Sequence, residues 1–204
     1  MKQALYIFFG LVASGKSTLA GAFAERHHYP YYNTDRVRKE LAGIVATSRR
    51  AEPLGRGIYS REFTEKTYTE LLSRARKDLE AGAVAVVLDG SYSRRGDRDR
   101  VRELGRELGI EPIFILCFCS EEETRRRLDR RARDPNAVSD GRWEIYVSQV
   151  ERFEPPDELA PSSLIRLDTE QEPDALLTEL GEALAGHETA CHGGRSRTGP
   201  TTAG

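Results

Sequence analysis

The sequence predicts an α/β fold: a five-stranded parallel sheet sandwiched by helices, with an arginine-rich helix as a lid. Two observations predict the sheet. Short apolar runs alternate with segments of helical period, the order in which strand–helix–strand units build parallel sheets. The runs are also apolar on successive residues, as strands covered on both faces require. A third observation is that the runs stop at glycine or aspartate. That puts polar chemistry at the strands' C-terminal edge, where open α/β sheets carry their sites.

Ala4 to Phe9 is the first such run, and the helix after it carries Leu19, Ala22 and Phe23 on one face. Tyr31 to Asn33 reads as a brief second strand. Thr34 or Asp35 is placed to cap the next helix, which carries Val37 and Leu41. Residues 44–59 contain Pro53, Gly55 and Gly57 without a clear period and read as a flexible loop. Ser60 to Ala81 is a long helical pattern with Phe63, Leu71, Leu72, Ala75 and Leu79 inward, stopped by Gly82.

Ala83 to Leu88 is a buried strand ending at Asp89, and Arg98 to Leu108 is a helix ended by Gly109. Pro112 to Cys119 is the fourth strand. Ser120 and Glu123 then form a capping box that opens a helix dense in arginine. A further helix places Trp143, Tyr146, Val147, Val150 and Phe153 on one face before Pro155 and Pro156 stop it. Leu164 to Leu167 and Ala175 to Leu184 are the last strand and the last helix.

The chain of 204 residues suffices for one domain with a sizeable core, expected over residues 1–185. Residues 186–204 contain no bulky aliphatic or aromatic side chain to anchor them, so a disordered tail is expected there. Apolar residues make up 38% and charged residues 31%, and a net charge of −2 gives no global attraction to nucleic acid or membrane. No apolar run reaches membrane-spanning length, and three cysteines without a disulfide framework fit a reduced compartment. A cytoplasmic location is therefore expected, with the oligomeric state left open.

Residues 10–17, GLVASGKS, match G-x-x-x-x-G-K-[ST] in full, between a buried strand and an amphipathic helix. Glycines let backbone N–H groups turn inward around phosphates, and the helix N-terminus adds unpaired donors and partial positive charge. Gly10, Ala13, Ser14, Gly15, Lys16, Ser17 and Thr18 are therefore the candidate nucleotide-binding residues. Lys16 is placed for the β- and γ-phosphates, and the Ser17 hydroxyl for Mg²⁺. The alternatives lack their own motifs: there is no G-x-G-x-x-G, no N-K-x-D, no D-x-x-G and no LSGGQ.

Asp35 follows the second strand, on the same sheet edge as this loop. There a carboxylate can take the proton of a substrate hydroxyl, or it can simply cap its helix. Arg38 returns to the same helix face and can hold an anionic or polyhydroxyl substrate. Asp89 ends its strand where it can orient Mg²⁺ or its waters, or act only as a turn residue before Gly90. Glycine, not glutamate, follows Asp89, which favours transfer to a hydroxyl over activation of water. Arg98, in SYSRRGDRDR, can line an acceptor pocket or belong to a solvated basic loop. Among Arg125, Arg126, Arg127, Arg130 and Arg131, the pair Arg127 and Arg131 shares a helix face and can reach a triphosphate from a lid.

Taken together, GLVASGKS, NTDRVRKELAG, VVLDGSYSRRGDR, CSEEETRRRLDRR and SDGRWEIYVSQVERFEPP resemble the small P-loop kinases over residues 4–170. The chain looks most like the bacterial AAA-type kinases, a group often fused to aminoglycoside-phosphotransferase-like domains. It is more distantly similar to polynucleotide 5′-kinases and zeta-toxin-type kinases. The resemblance implies a phosphotransferase using ATP and Mg²⁺, with Asp35 as general base and Arg38 on the acceptor side. The family's R-x-x-x-R lid spacing falls on Arg127 and Arg131, and the residues Asp168 and Thr169 correspond to a segment near adenine. The acceptor is a small molecule or a nucleic-acid 5′-OH. The rival is an ATPase or nucleotide switch acting on a partner protein. The chain departs from the polynucleotide kinases at Arg36, where they tend to have an acidic or polar residue.

Overall fold

The computed structural model describes residues 3–45, 57–133 and 142–193. Five strands, β1 (Ala4–Phe9), β2 (Tyr31–Asn33), β3 (Ala85–Gly90), β4 (Ile113–Phe118) and β5 (Leu164–Asp168), form one parallel sheet in the order β2-β3-β1-β4-β5. The helices are α1 (Lys16–His27), α2 (Thr34–Leu41), α3 (Arg61–Glu80), α4 (Arg95–Leu108), α5 (Glu121–Arg133), α6 (Trp143–Arg152) and α7 (Pro173–Gly193).

Side chains of β1 alternate between two cores, as the two-residue period of a strand demands. Leu5, Ile7 and Phe9 join Leu71 of α3 with Val101 and Leu104 of α4 on one face. Phe8 joins Leu19 and Phe23 of α1 with Leu176 and Leu180 of α7 on the other. A third, small cluster matters more for function. Trp143, Ile145 and Tyr146 of α6 pack on Val12, Ala13 and Leu128, which seats α6 over the glycine loop and α5.

The register converts this stacking into a site. Phe8 pairs with Asp89 and Phe9 with Gly90, while Asn33 also pairs with Asp89. The residues leaving β1, β2 and β3 therefore emerge side by side at one edge of the sheet.

Several expectations are corrected. Asn33 caps α2, its Oδ1 accepting from Arg36 N–H at 3.0 Å, which leaves Thr34 and Asp35 in the first turn. Helix α4 begins at Arg95, three residues before Arg98. On α6 the inward residues are Trp143, Ile145 and Tyr146; Val147 and Val150 are 40% and 49% exposed. The last helix runs to Gly193, into the segment expected to be a tail, and residues 194–204 lie outside the described residues. Residues 46–56 of the expected flexible loop also lie outside them, and Gly57–Tyr59 forms a 3₁₀ turn.

Candidate active site

The loop after β1 turns sharply because Gly10 (φ 144°), Ala13 (φ 62°) and Gly15 (φ 78°) have positive φ. A Cβ on Gly10 would lie 2.2 Å from the Cys117 carbonyl oxygen, and one on Gly15 would meet Thr169 Oγ1 at 2.9 Å. Glycine is required at both positions by conformation and by space. Ala13 tolerates its strain within the cluster under α6.

Lys16 opens α1, and its Nζ donates to the Leu11 carbonyl at 3.0 Å. Burial lowers the pKa of its ammonium; Asp89 and Asp35 oppose that shift and Arg131 adds to it. Asp89 is fully buried at the end of β3. Its Oδ2 accepts from Tyr31 OH at 2.7 Å and from Asn33 Nδ2 at 2.5 Å. Asn33 Nδ2 also lies 3.5 Å from Ser17 Oγ, so one amide ties the Ser17 hydroxyl to the Asp89 carboxylate. Asp89 Oδ1 is buried without a hydrogen-bond partner among the described residues. A buried carboxylate oxygen with no donor beside a helix-initiating serine suits a hard cation or its bound water. The residues present therefore fit Mg²⁺.

Asp35, in the first turn of α2, lines a cleft of about 890 Å³ together with Lys16 and Arg38. Burial pushes the Asp35 carboxyl above its ordinary range, against the opposing pull of Arg38 and Lys16. Arg38 is buried; its Nη1 donates to Ile58 O at 2.8 Å and Thr64 Oγ1 at 3.0 Å, and its guanidinium stands 5.1 Å over the Tyr59 ring. The far wall of the cleft is α6, contributing Ile145, Gln149 and Arg152.

The two lid arginines do different things. Arg127 grips the glycine loop from outside, donating through Nη1 to Ala13 O at 3.2 Å and to Thr169 Oγ1 at 3.0 Å, and through Nη2 to Thr169 O. Glu123 steadies it from one turn back at 2.6 Å. Arg131, half-buried like Arg127, answers to the site's charges: burial lowers its pKa, Arg127 adds to that effect, and Asp35 and Asp89 offset it. It therefore shares the electrostatic field of Lys16, Asp35 and Asp89. A second cavity of about 340 Å³ lies between α5 and the Thr169–Pro173 segment, with Gly15 and Thr18 in its wall.

Arg98 does not reach the cleft. Its side chain is fully buried, with Nε donating to Glu158 Oε1 at 2.5 Å, Nη2 to Glu158 Oε2 at 3.1 Å, and further bonds to Tyr92 O and Pro155 O. Its place beside the strand end is structural, because α4 turns it inward onto the segment after α6. Arg94 lines the cleft instead. Sequence reasoning also missed three residues. Tyr31 and Asn33 read only as strand residues, although the β2–β3 register aligns Asn33 with Asp89. Gln149 carries no signal of its own in the sequence, yet its Oε1 accepts from Val12 N–H at 2.7 Å.

The strand order, the strained glycine loop and the Lys16–Ser17–Asp89 cluster define a P-loop NTPase fold of the small-kinase type. Within that class, the chain belongs to the AAA domain family (AAA_33), whose model matches residues 5–156. The uncharacterized protein Rv2004c of Mycobacterium tuberculosis is 30% identical over 143 residues, which are 70% of this chain and 28% of that protein. The chain thus spans less than a third of the length of the curated relatives it matches.

Among solved structures it is similar to a sugar kinase from Janibacter, with 22% identity, a TM-score of 0.66, and coverage of 91% of this chain and 95% of that one. A gluconokinase from Sinorhizobium meliloti is 22% identical with a TM-score of 0.59 and 94% coverage of both chains. The Mycobacterium tuberculosis APS kinase CysC, solved with AMPPNP and APS, is 19% identical with a TM-score of 0.62 and coverage of 90% and 98%. No helix among the described residues is long and apolar enough to cross a membrane.

Proposed function

We propose that the protein is an ATP-dependent phosphotransferase that moves the γ-phosphate of ATP to a hydroxyl acceptor held in the cleft before Asp35. The observation that carries this reading is that the Asp35 carboxylate and Lys16 of the glycine loop line one cleft and act on each other electrostatically. Catalysis of phosphoryl transfer is mostly positioning and electrostatics, and each requirement has a residue.

Backbone N–H groups of the loop and the α1 N-terminus hold the phosphates, with Lys16 neutralising charge at the transferring end. Ser17 and Asp89 would hold Mg²⁺, which when bound supplies charge neutralisation across the β- and γ-phosphates. Asp35 accepts the proton of the acceptor hydroxyl as its oxygen bonds to the γ-phosphorus; the bond from that phosphorus to the bridging oxygen breaks, and ADP carries the electron pair away. Arg131 faces the developing charge, and Arg127 clamps the loop against the Thr169 segment, on the nucleotide side of the site. The structural resemblance to kinases supports the same reaction class, as does Gly90, which stands directly after Asp89 in place of a carboxylate that could activate water.

Label from γ-labelled ATP should pass to an added hydroxyl compound, and Asp35→Ala should abolish that passage while nucleotide binding persists. Acceptor-independent phosphate release as the sole product, across a broad panel of hydroxyl compounds, would instead favour an ATPase or switch.

A further inference from the structure

Resting on the reading of Ser17 and Asp89 as holders of Mg²⁺, we infer that Tyr31 is a positioning residue that makes this site select Mg²⁺ against Ca²⁺. It does so by reserving one oxygen of Asp89. Tyr31 and Asn33 stand two residues apart in β2, so their side chains leave the same face of the sheet. Their register partners in β3 are Val87 and Asp89. The Tyr31 ring packs against the core beneath α1, beside Val87, while Tyr32 turns to the opposite core and donates to Asp78. The packed ring and the strand pairing together fix where the Tyr31 hydroxyl points.

The distribution of donors on Asp89 is one-sided. Tyr31 OH, at 2.7 Å, and Asn33 Nδ2, at 2.5 Å, both donate to Oδ2. Oδ1 is equally buried and accepts from neither. A carboxylate held only for packing gains most when its donors serve both oxygens, because a buried oxygen left bare is costly. Here two neutral donors converge on one oxygen and leave the other for a ligand. A carboxylate oxygen offers about two acceptor sites, so Oδ2 is filled.

That pattern discriminates between hard cations. Ca²⁺ takes about 6–8 oxygen ligands and readily uses both oxygens of a carboxylate. Mg²⁺ is smaller, keeps several waters and is served by one carboxylate oxygen or by water bound to it. With Oδ2 committed, Asp89 offers only Oδ1, which suits Mg²⁺ and denies Ca²⁺ a bidentate ligand. Asn33 has a further contact with Ser17 Oγ and a helix to cap, whereas the Tyr31 hydroxyl has Asp89 as its partner. Tyr31 is therefore the more specific probe.

The test measures AMPPNP binding to the full chain by calorimetry in excess Mg²⁺, in excess Ca²⁺ and in EDTA, with Tm followed for each variant. The parent should bind most tightly with Mg²⁺. Y31F reopens one acceptor site on Oδ2 and should lower the Mg²⁺-to-Ca²⁺ affinity ratio by about tenfold, with binding in EDTA unchanged. N33A reopens the other site and should move the ratio in the same direction, so the inference does not depend on the folding of one variant. D89N should bring the three conditions together.

A Y31F protein that binds in EDTA as the parent does and keeps the parent's ratio overturns the inference and leaves the metal reading standing. So does a Y31F protein whose three affinities fall together with its Tm, which marks Tyr31 as a packing residue only. A metal effect that survives intact in D89N overturns the metal reading itself, and the inference with it.

Discussion

Replacing Glu158 with alanine tests whether Arg98 is a beam or a ligand. The Arg98 side chain is 0% exposed and that of Glu158 3%, and two guanidinium nitrogens engage the two carboxylate oxygens. Removing one partner of such a pair leaves a buried charge uncompensated, at a cost of about 3–5 kcal/mol. Tyr92 O and Pro155 O still accept from Arg98 after the substitution, so the lower end, about 3 kcal/mol, is expected. In a chain of this size that loss lowers Tm by about 6–12 °C. Arg98→Met should cost more, because it orphans the Glu158 carboxylate and two backbone carbonyls together. In a urea-unfolding double-mutant cycle, Arg98→Met with Glu158→Leu should be less destabilised than the sum of the single variants by more than about 1.5 kcal/mol. A Glu158→Ala variant within about 0.5 kcal/mol of the parent would refute the reasoning, since that is how an ordinary surface site behaves. So would an Arg98→Met variant of full stability that has lost only acceptor affinity.

Three further outcomes are expected. Burial holds the Asp35 carboxyl above its usual range, and the base works only when ionised. Transfer should therefore fall as pH drops through a value above the ordinary aspartate pKa of about 4, read as the acid limb of kcat/KM against pH. Asn33→Ala removes the amide between Ser17 Oγ and Asp89, and should weaken Mn²⁺ binding in the presence of AMPPNP by about 10–100-fold, followed by electron paramagnetic resonance. Gln149→Leu leaves the buried Val12 N–H without its acceptor and should cost about 1–3 kcal/mol in urea unfolding, with weaker fluorescent-nucleotide binding as the loop loosens.

The sheet and the glycine loop were legible because their signals are local. A run such as AVAVVL carries its burial in its own composition, and the loop carries its positive-φ positions as glycines. The positions of Asp35 and Asp89 were legible for a related reason: Asp89 stands next to last in β3 and Asp35 two residues past β2, and parallel topology sends every such strand end to one edge. The arginines of SYSRRGDRDR were not. Arg94 and Arg98 look alike in sequence, but α4 starts between them and rotates Arg98 toward Glu158, sixty residues away. The role of an arginine is set by what lies opposite it, and that is fixed only by tertiary packing.

Asn33 shows how much a single register can carry. Its backbone pairs with Asp89, its amide orients that carboxylate and reaches Ser17, and its carbonyl oxygen Oδ1 caps the helix on which Asp35 and Arg38 ride. In the proposed reaction, the nucleotide half of the site and the acceptor half thus share one anchoring side chain. On that reading the distance between phosphate donor and hydroxyl base is set by a strand end, where backbone pairing holds it, and not by the flanking loops. Phosphoryl transfer needs that distance fixed before the substrates arrive, and a polar residue at the junction of β2 and α2 is where the chain can fix it.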